Sequence, residues 1–400
     1  MFKHVEPYPG DPILTLNEQF GADPRPGKVN LSIGVYLTEA GKLPAMGSVL
    51  AAEAALAQTA GPRPYLPMEG SAVYRHAVRE LTFGKGFDGI DRIATAQTLG
   101  GSGALKVGAD FIARYFPQAR VWASDPTWDN HHSIFAGAGL TVEKYPYYDA
   151  ATSQVDFRAM LAALELLPAG DVVLLHACCH NPTGADLDDE QWRELAQLVK
   201  RRGLLPFFDM AYQGFGRGVE EDAFAIRHFA QEGIALFAAT SFSKNFSLYG
   251  ERCGSLSIAC GDAGQAANVL GQLKATIRRN YSSPPTHGAR IIERILTDGE
   301  LRAGWQAELD GMRARVAAMR TALHQALCAS MPDGDFSYLG KQTGMFSYTG
   351  LTAMQVAAMR EESAVYLVGT GRLCLAALTA ASVPVVAQAM VKAIKTPLTK

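Results

Sequence analysis

Ser241-Phe-Ser-Lys-Asn-Phe-Ser-Leu-Tyr-Gly-Glu-Arg252 follows a short apolar run, Ile234 to Ala239, that reads as a buried strand. Lys244 is framed by two hydroxyls, Ser241 and Ser243, and followed by Arg252. An amine that forms a Schiff base with an aldehyde needs close polar and cationic neighbours. Hydroxyls with an arginine also suit a phosphate dianion, which takes charge-assisted, often bidentate, hydrogen bonds. On this segment alone, a surface lysine in a polar turn is an equal reading.

Three other segments change the balance. Leu205-Pro-Phe-Phe-Asp-Met-Ala-Tyr212 is an apolar run ending in Asp209, with Tyr212 three residues on. A carboxylate at the end of a buried strand is costly unless a cation meets it. Val172 to Leu175 is another apolar run, leading into His176-Ala-Cys-Cys-His-Asn-Pro-Thr-Gly184 with Asn181 in its polar turn. Leu99-Gly-Gly-Ser-Gly103 opens a helical stretch, Ala104 to Tyr115, and bare N–H groups at a helix start attract phosphate. Ligands of open α/β sheets sit beyond the carboxyl ends of strands, so these polar strand ends point to one shared site.

The rest of the pattern agrees. Apolar runs at Val121-Trp122, Leu204 to Phe208 and Ser255 to Ala259 alternate with amphipathic stretches. In one of these, Asp188 is the expected cap, Trp192, Leu195, Ala196 and Val199 form the apolar stripe, and Gly203 ends the helix. Strands alternating with helices imply a largely parallel sheet covered on both faces. After about Glu300 the pattern becomes a long helix rich in Arg, Ala and Met, then shorter elements. An amino-terminal arm containing Pro7, Pro9, Gly10 and Pro12 is expected to lie over something rather than fold alone.

Composition excludes several classes. A chain of 400 residues has room for a large core and two domains. Net charge of -2 implies no nucleic-acid partner. MFKHVEPYPG has no apolar signal core, and no apolar run is long enough to span a bilayer. The six cysteines show no disulfide spacing, which suits a reducing, cytoplasmic location. His176, Cys178, Cys179 and His180 fit no common zinc pattern, so no metal site is expected.

The motifs HNPTG (180–184), FDMAYQGFGRG (208–218), SFSKNFSLYGERCG (241–254), RRNYSSPP (278–285) and GMFSYTGL (344–351), in this order, resemble those of the class I, fold-type I, pyridoxal-phosphate aminotransferases. The resemblance runs from about Asp11 to the last helix and is strongest to the aromatic-amino-acid (tyrosine) branch, with the aspartate branch close. It implies an α/β fold with a mainly parallel seven-stranded sheet flanked by helices in a large domain, plus a smaller α/β domain. The implied division is an arm over 1–12, a large pyridoxal-phosphate-binding domain over 44–300, and a small domain formed by 13–43 and 301–400.

The resemblance also implies roles. Lys244 is the Schiff-base lysine and proton shuttle of a ping-pong PLP/PMP mechanism. Asp209 keeps the cofactor's ring nitrogen protonated, since a neighbouring carboxylate raises that pKa. Tyr212 and Asn181 hydrogen-bond the ring oxygen, and Trp128 stacks on the ring. His131 and His176 orient Asp209. The phosphate meets Gly101, Ser102, Ser241, Ser243 and Arg252, together with Tyr65 from the other subunit of a homodimer with shared active sites. Arg372 reads the substrate α-carboxylate with Gly34 close by, and Arg278 reads a dicarboxylic side chain from the neighbouring subunit. Arg279 is expected at the surface.

Substrates are thus amino acids and 2-oxo acids. The implied reaction moves the amino group of tyrosine or phenylalanine, and also of aspartate, to 2-oxoglutarate. Leu37, Leu43 and Pro64 make an apolar entrance, and Ser102 and Ser283 match the aromatic type. Val35 and Asn245 depart from it. A strict aspartate aminotransferase is the alternative, followed by the same fold doing decarboxylation. A non-enzymatic cofactor-binding regulator is the least favoured, because the enzyme fold uses up the chain.

Overall fold

The computed structural model describes every residue except Pro9, Ala60 and 397–400; the side chain of Pro12 is also outside the description. The chain divides into two compact units, Pro44–Ala314 and Met1–Leu43 with Arg315–Lys400.

The larger unit is built on seven strands: β1 Ile93–Leu99, β2 Val121–Asp125, β3 Val142–Pro146, β4 Val172–His176, β5 Leu205–Met210, β6 Leu236–Ser241 and β7 Cys253–Ala259. Their order across the sheet is β1-β7-β6-β5-β4-β2-β3. All neighbours are parallel except those of β7, which runs antiparallel to both β1 and β6. Two strands have no counterpart among the apolar runs. β1 carries Thr95, Gln97 and Thr98, all buried, and β3 is a short strand with Glu143 and Lys144.

The sequence of β5 shows why both faces are covered. Adjacent Phe207 and Phe208 point to opposite sides of the sheet. Phe207 stacks on Phe237 at 5.2 Å and meets Phe135 edge-on at 5.5 Å. Helix α1, Gly100–Tyr115, packs on this side so closely that a Cβ at Gly108 would come within 2.6 Å of the Phe207 ring. Phe208 instead meets Trp192 of α2, Asp189–Arg202, at 5.9 Å and Phe229 at 5.1 Å. Truncating either ring to alanine would cost about 3–5 kcal/mol. The capping box of α2 joins Asp188 and Gln191, and Gly203 closes the helix with φ of 64°.

Register then assembles an edge. His176 lies opposite Asp209, Asp209 opposite Ala239, and Ser241 opposite Gly254. Because β7 is antiparallel, Cys253 at its start pairs with Leu99 at the end of β1. Arg252 therefore enters at the same edge as Gly100, Asp209 and Lys244.

The smaller unit has two short ladders. Val29–Asn30 pairs in parallel with Val365–Tyr366, and Phe346–Tyr348 pairs antiparallel with Arg372–Cys374. Buried Arg320 donates to the carbonyls of Gly344 at 2.9 Å and Phe346 at 3.0 Å, which fixes the first strand of the second ladder. Helix α3, Gly299–Ser330, is unbroken, and the division between the two compact units falls within it. Residues 1–8 are exposed, Phe2, Val5 and Tyr8 included, and Pro9 lies outside the described residues.

Candidate active site

Asp209 ends β5 with its carboxylate buried. His131 Nε2 is 3.0 Å from its Oδ2, and His131 Nδ1 is 2.8 Å from Thr127 Oγ1. Burial would raise the Asp209 pKa, but the hydrogen bond and charge of His131 outweigh it, helped by His176 and Lys244, and the net shift is downward. His176 packs against His131 with ring centroids 5.2 Å apart, and its Nε2 is buried with no hydrogen-bond partner among the described residues. Burial first, then the neighbouring His131, lowers the His176 pKa to about 3, so this ring stays neutral. Trp128 is half-buried and meets His131 edge-on at 5.3 Å.

Lys244 is partly buried, with Nζ 5.5 Å from the centroid of the Tyr212 ring. Asn181 Nδ2 donates to Tyr212 Oη at 3.5 Å. The chain just after Lys244 is pinned from α3: Trp305 Nε1 donates to the Asn245 carbonyl at 2.7 Å, and its ring stacks on Phe246 at 4.6 Å. Asn245 Nδ2 donates to the Gln213 carbonyl at 3.3 Å, which ties the lysine turn to the tyrosine turn.

A third group forms where α1 starts. A Cβ at Gly100 would stand 2.7 Å from Arg252 Nη2, and one at Gly101 would stand 3.1 Å from Ser241 Cβ. Only glycine lets these amides lie so close to the guanidinium and the serine. Arg252 Nη1 donates to Ser243 Oγ at 3.3 Å, and the Ser243 N–H donates to Ser241 Oγ at 3.4 Å. Bare amides, two hydroxyls and a guanidinium at a helix start are a donor set for a phosphate dianion. With an amine and a buried carboxylate on the same sheet edge, the residues present fit pyridoxal phosphate.

Tyr65 is 95% exposed, and Pro64 beside it is exposed too. Arg278 is exposed at the end of the helix Ala263–Asn280, bonded to Ser282 Oγ; Ser283 is half-buried. Arg279 is exposed as expected and donates to Thr276 Oγ1 at 3.2 Å. In the smaller unit Arg372 is only 4% exposed. Its Nη2 donates to the Ser32 carbonyl at 2.5 Å, and its guanidinium lies 4.7 Å from the centroid of the Phe346 ring. A Cβ at Gly34 would come within 2.9 Å of Phe346 Cζ, so glycine is required there. Leu37 and Val35 are half-buried and Leu43 is exposed.

The chain belongs to the class I and II aminotransferases. That family description matches residues 26–390. The aromatic-amino-acid aminotransferase of Escherichia coli is 57% identical over 392 residues, 97% of this chain and 99% of that protein. The aspartate aminotransferase of Pseudomonas aeruginosa is 50% identical over 394 residues, 98% of this chain and 99% of that one. A crystal structure of the aromatic-amino-acid aminotransferase from Burkholderia pseudomallei, covalently bound to pyridoxal phosphate, superposes with a TM-score of 0.97 at 51% identity, covering 99% of this chain and 100% of that chain. The α/β architecture of this aminotransferase, with its mostly parallel seven-stranded sheet, is the one expected from the motifs.

Motif reading missed residues that support the aminotransferase site. Thr127 fixes the His131 ring. His180, held between Ser124 Oγ at 2.9 Å and Thr183 Oγ1 at 2.8 Å, stacks on Tyr147 at 4.1 Å. Asp186 accepts the N–H groups of Cys179 and His180, both at 2.8 Å. Asp186 follows the HNPTG motif by two residues, the one signal that marked it.

Two clusters also have metal-like spacing: His131, His176 and Asp209, and Cys178, Cys179 and Asp222, each with ligand atoms within 4.8 Å of one another. To the His176–His180 segment the fold adds His131, Asp209 and Asp222 from other elements. In the first cluster His131 already binds the carboxylate. In the second, Cys178 is a neutral thiol, pushed well up by its hydrogen bond to Cys179 and by burial.

Proposed function

We propose that this protein is an aromatic-amino-acid aminotransferase that moves the amino group of tyrosine or phenylalanine, and of aspartate, to 2-oxoglutarate with pyridoxal 5'-phosphate. What carries this is the convergence of Lys244, Asp209 and the Gly101–Ser241–Arg252 donor set on one sheet edge, in a chain 57% identical to an aromatic-amino-acid aminotransferase. Pyridoxal phosphate, when bound, supplies a ring that takes up the charge developing at the substrate Cα.

The protein's groups do the rest. Lys244 would hold the cofactor covalently at rest; once displaced by the substrate amine, its Nζ would carry the proton from the substrate Cα to the cofactor's C4′ carbon. Asp209, kept anionic by His131, holds a proton on the ring nitrogen. Tyr212 and Asn181 donate to the ring oxygen, and Trp128 covers the ring face. Gly101, Ser102, Ser241, Ser243 and Arg252 hold the phosphate. Arg372, backed by Phe346 and Ser32, reads the α-carboxylate, with Gly34 leaving space for it.

Exposed Tyr65 and Arg278 support a homodimer in which each subunit lends these two residues to its neighbour's site. Residues 1–8 of the arm, which are exposed, suit contact with that neighbour. We assign the cofactor-binding domain to 44–300 and the small domain to 13–43 with 301–400. The cysteine spacing supports a cytoplasmic location, and no helix among the described residues is long and apolar enough to cross a membrane.

The deciding measurement is a half-reaction. Cofactor-loaded protein is mixed with phenylalanine alone, then with aspartate alone, and the visible absorbance is followed. Both amino acids are expected to bleach the resting band. Bleaching by aspartate only would make this a strict aspartate aminotransferase and remove the role given to Leu37, Leu43 and Pro64.

A further inference from the structure

Asp222 has no part in the chemistry above, yet it is buried beneath it. It is 3% exposed and accepts three backbone N–H groups. Gly214 and Gly216 donate to Oδ2 at 2.8 and 2.9 Å, and Arg217 donates to Oδ1 at 2.8 Å. All three amides belong to the turn that begins at Tyr212, which the Phe215 N–H closes by donating to the Tyr212 carbonyl at 3.0 Å.

The glycines of this turn are there for the carboxylate. A Cβ at Gly216 would stand 2.6 Å from Asp222 Oδ1. Gly214 has φ of +95°, and a Cβ there would meet Leu309 Cδ2 at 2.3 Å. A carboxylate oxygen of Asp222 lies within 4.8 Å of the thiols of Cys178 and Cys179. Cys179 Sγ donates to the Tyr212 carbonyl at 3.9 Å, and the Cys179 N–H is held by Asp186. Two carboxylates thus grip two turns from below, Asp186 the one carrying Asn181 and Asp222 the one carrying Tyr212. The turns meet where Asn181 donates to Tyr212 Oη.

We propose that Asp222 is a positioning residue for the reaction: it holds the turn that aims the Tyr212 hydroxyl, with Asn181, at the cofactor's ring oxygen. This rests on the role given to Tyr212 under Proposed function. A carboxylate that accepts three amides fixes a turn more firmly than an amide side chain, which offers one acceptor oxygen and turns a donor toward donors. The titratable and charged groups around the Tyr212 turn are Lys244, Asp209 with His131 and His176, Cys178, Cys179, Asp186, Arg217 of the turn itself and Arg313, whose Nη1 donates to the Gly214 carbonyl at 3.2 Å, and all are unchanged in the test.

Four cofactor-loaded proteins are compared: the parent, Tyr212→Phe, Asp222→Asn and the double variant. The pH at which the bound cofactor's visible absorbance changes is measured for each. Removing a donor to the ring oxyanion raises that pH, so Tyr212→Phe is expected to shift it upward. Asp222→Asn is expected to shift it the same way by roughly half a unit or more, about threefold in the ionisation constant. The double variant is expected to match Tyr212→Phe alone, because residues acting through one another are not additive. A parental midpoint in Asp222→Asn, or a double variant that adds a second full shift, overturns the proposal. An unshifted Tyr212→Phe overturns the role of Tyr212 and the proposal with it. Should Asp222→Asn fail to fold, Gly216→Ala presses on the same oxygen, and an unshifted midpoint there counts equally against Asp222.

Discussion

His131 Nε2 lies 3.0 Å from Asp209 Oδ2, with the two side chains 0% and 7% exposed. A carboxylate this deeply buried would ordinarily protonate. The histidine prevents it, and Thr127 holds the histidine ring from its other nitrogen. The carboxylate proposed to keep a ring nitrogen protonated thus depends on a side chain of the short helix Asn130–Ala136 that follows β2. Replacing His131 with alanine removes a charge-assisted hydrogen bond worth about 1.5–3 kcal/mol. We expect kcat to fall about 10- to 100-fold with KM little changed. Thr127→Val should show a weaker form of the same defect. Parental kcat in His131→Ala would separate Asp209 from its proposed partner.

Lys244→Ala is expected to abolish turnover while the fold persists. Its Nζ faces the Tyr212 ring at 5.5 Å, and the segment is held independently through the Asn245 backbone by Trp305. Borohydride reduction of the loaded parent followed by peptide mapping should place the cofactor on the 241–252 peptide. A label on any other lysine would end the assignment.

Arg278 is exposed, while Arg372 is almost fully buried. The difference fits separate duties, a fixed clamp for a group every substrate has and a movable one for a group only some have. Arg278→Leu should lower kcat/KM for aspartate about 100-fold or more, the effect of losing a charge-assisted contact. The value for phenylalanine should change less than about fivefold. Equal losses for both substrates would refute the division.

The segments that were legible in advance are those where function and folding ask for the same pattern. Val172 to Leu175, Leu205 to Phe208 and Ile234 to Ala239 are apolar because both sheet faces are covered, and each ends in a chemical group. Strand β1 escaped because Thr95, Gln97 and Thr98 are polar; Thr95 is paired across the ladder with Ser257 Oγ at 2.9 Å, and Gln97 donates to the Pro285 carbonyl at 2.7 Å. Strand β3 escaped because an edge strand tolerates charge. Asp186, marked only by its nearness to HNPTG, and Asp222 carried no sign of their roles, because a buried carboxylate gripping backbone amides looks, in sequence, like any loop aspartate. Their roles depend on which amides come near, and only the fold decides that.

Two buried histidines set a pH dependence of stability. His176 titrates near pH 3 in the fold and near 6.5 when unfolded, and burial, then the neighbouring His176 and His131, keeps His180 well below its ordinary value too. Between these values the unfolded chain binds protons that the folded chain refuses, so stability rises with pH. Their contribution is complete above about pH 6.5 and is lost as pH falls toward 3, at up to about 1.4 kcal/mol per pH unit for each ring. His176→Asn should therefore flatten the fall in urea midpoint between about pH 6 and pH 4 by up to one proton's slope, with pyridoxal phosphate in constant excess. The cost at pH 8 should be a separate, pH-independent offset from lost packing against His131 and His180. A variant whose urea midpoints run parallel to the parent's across that window would mean that His176 takes up its proton before the fold gives way.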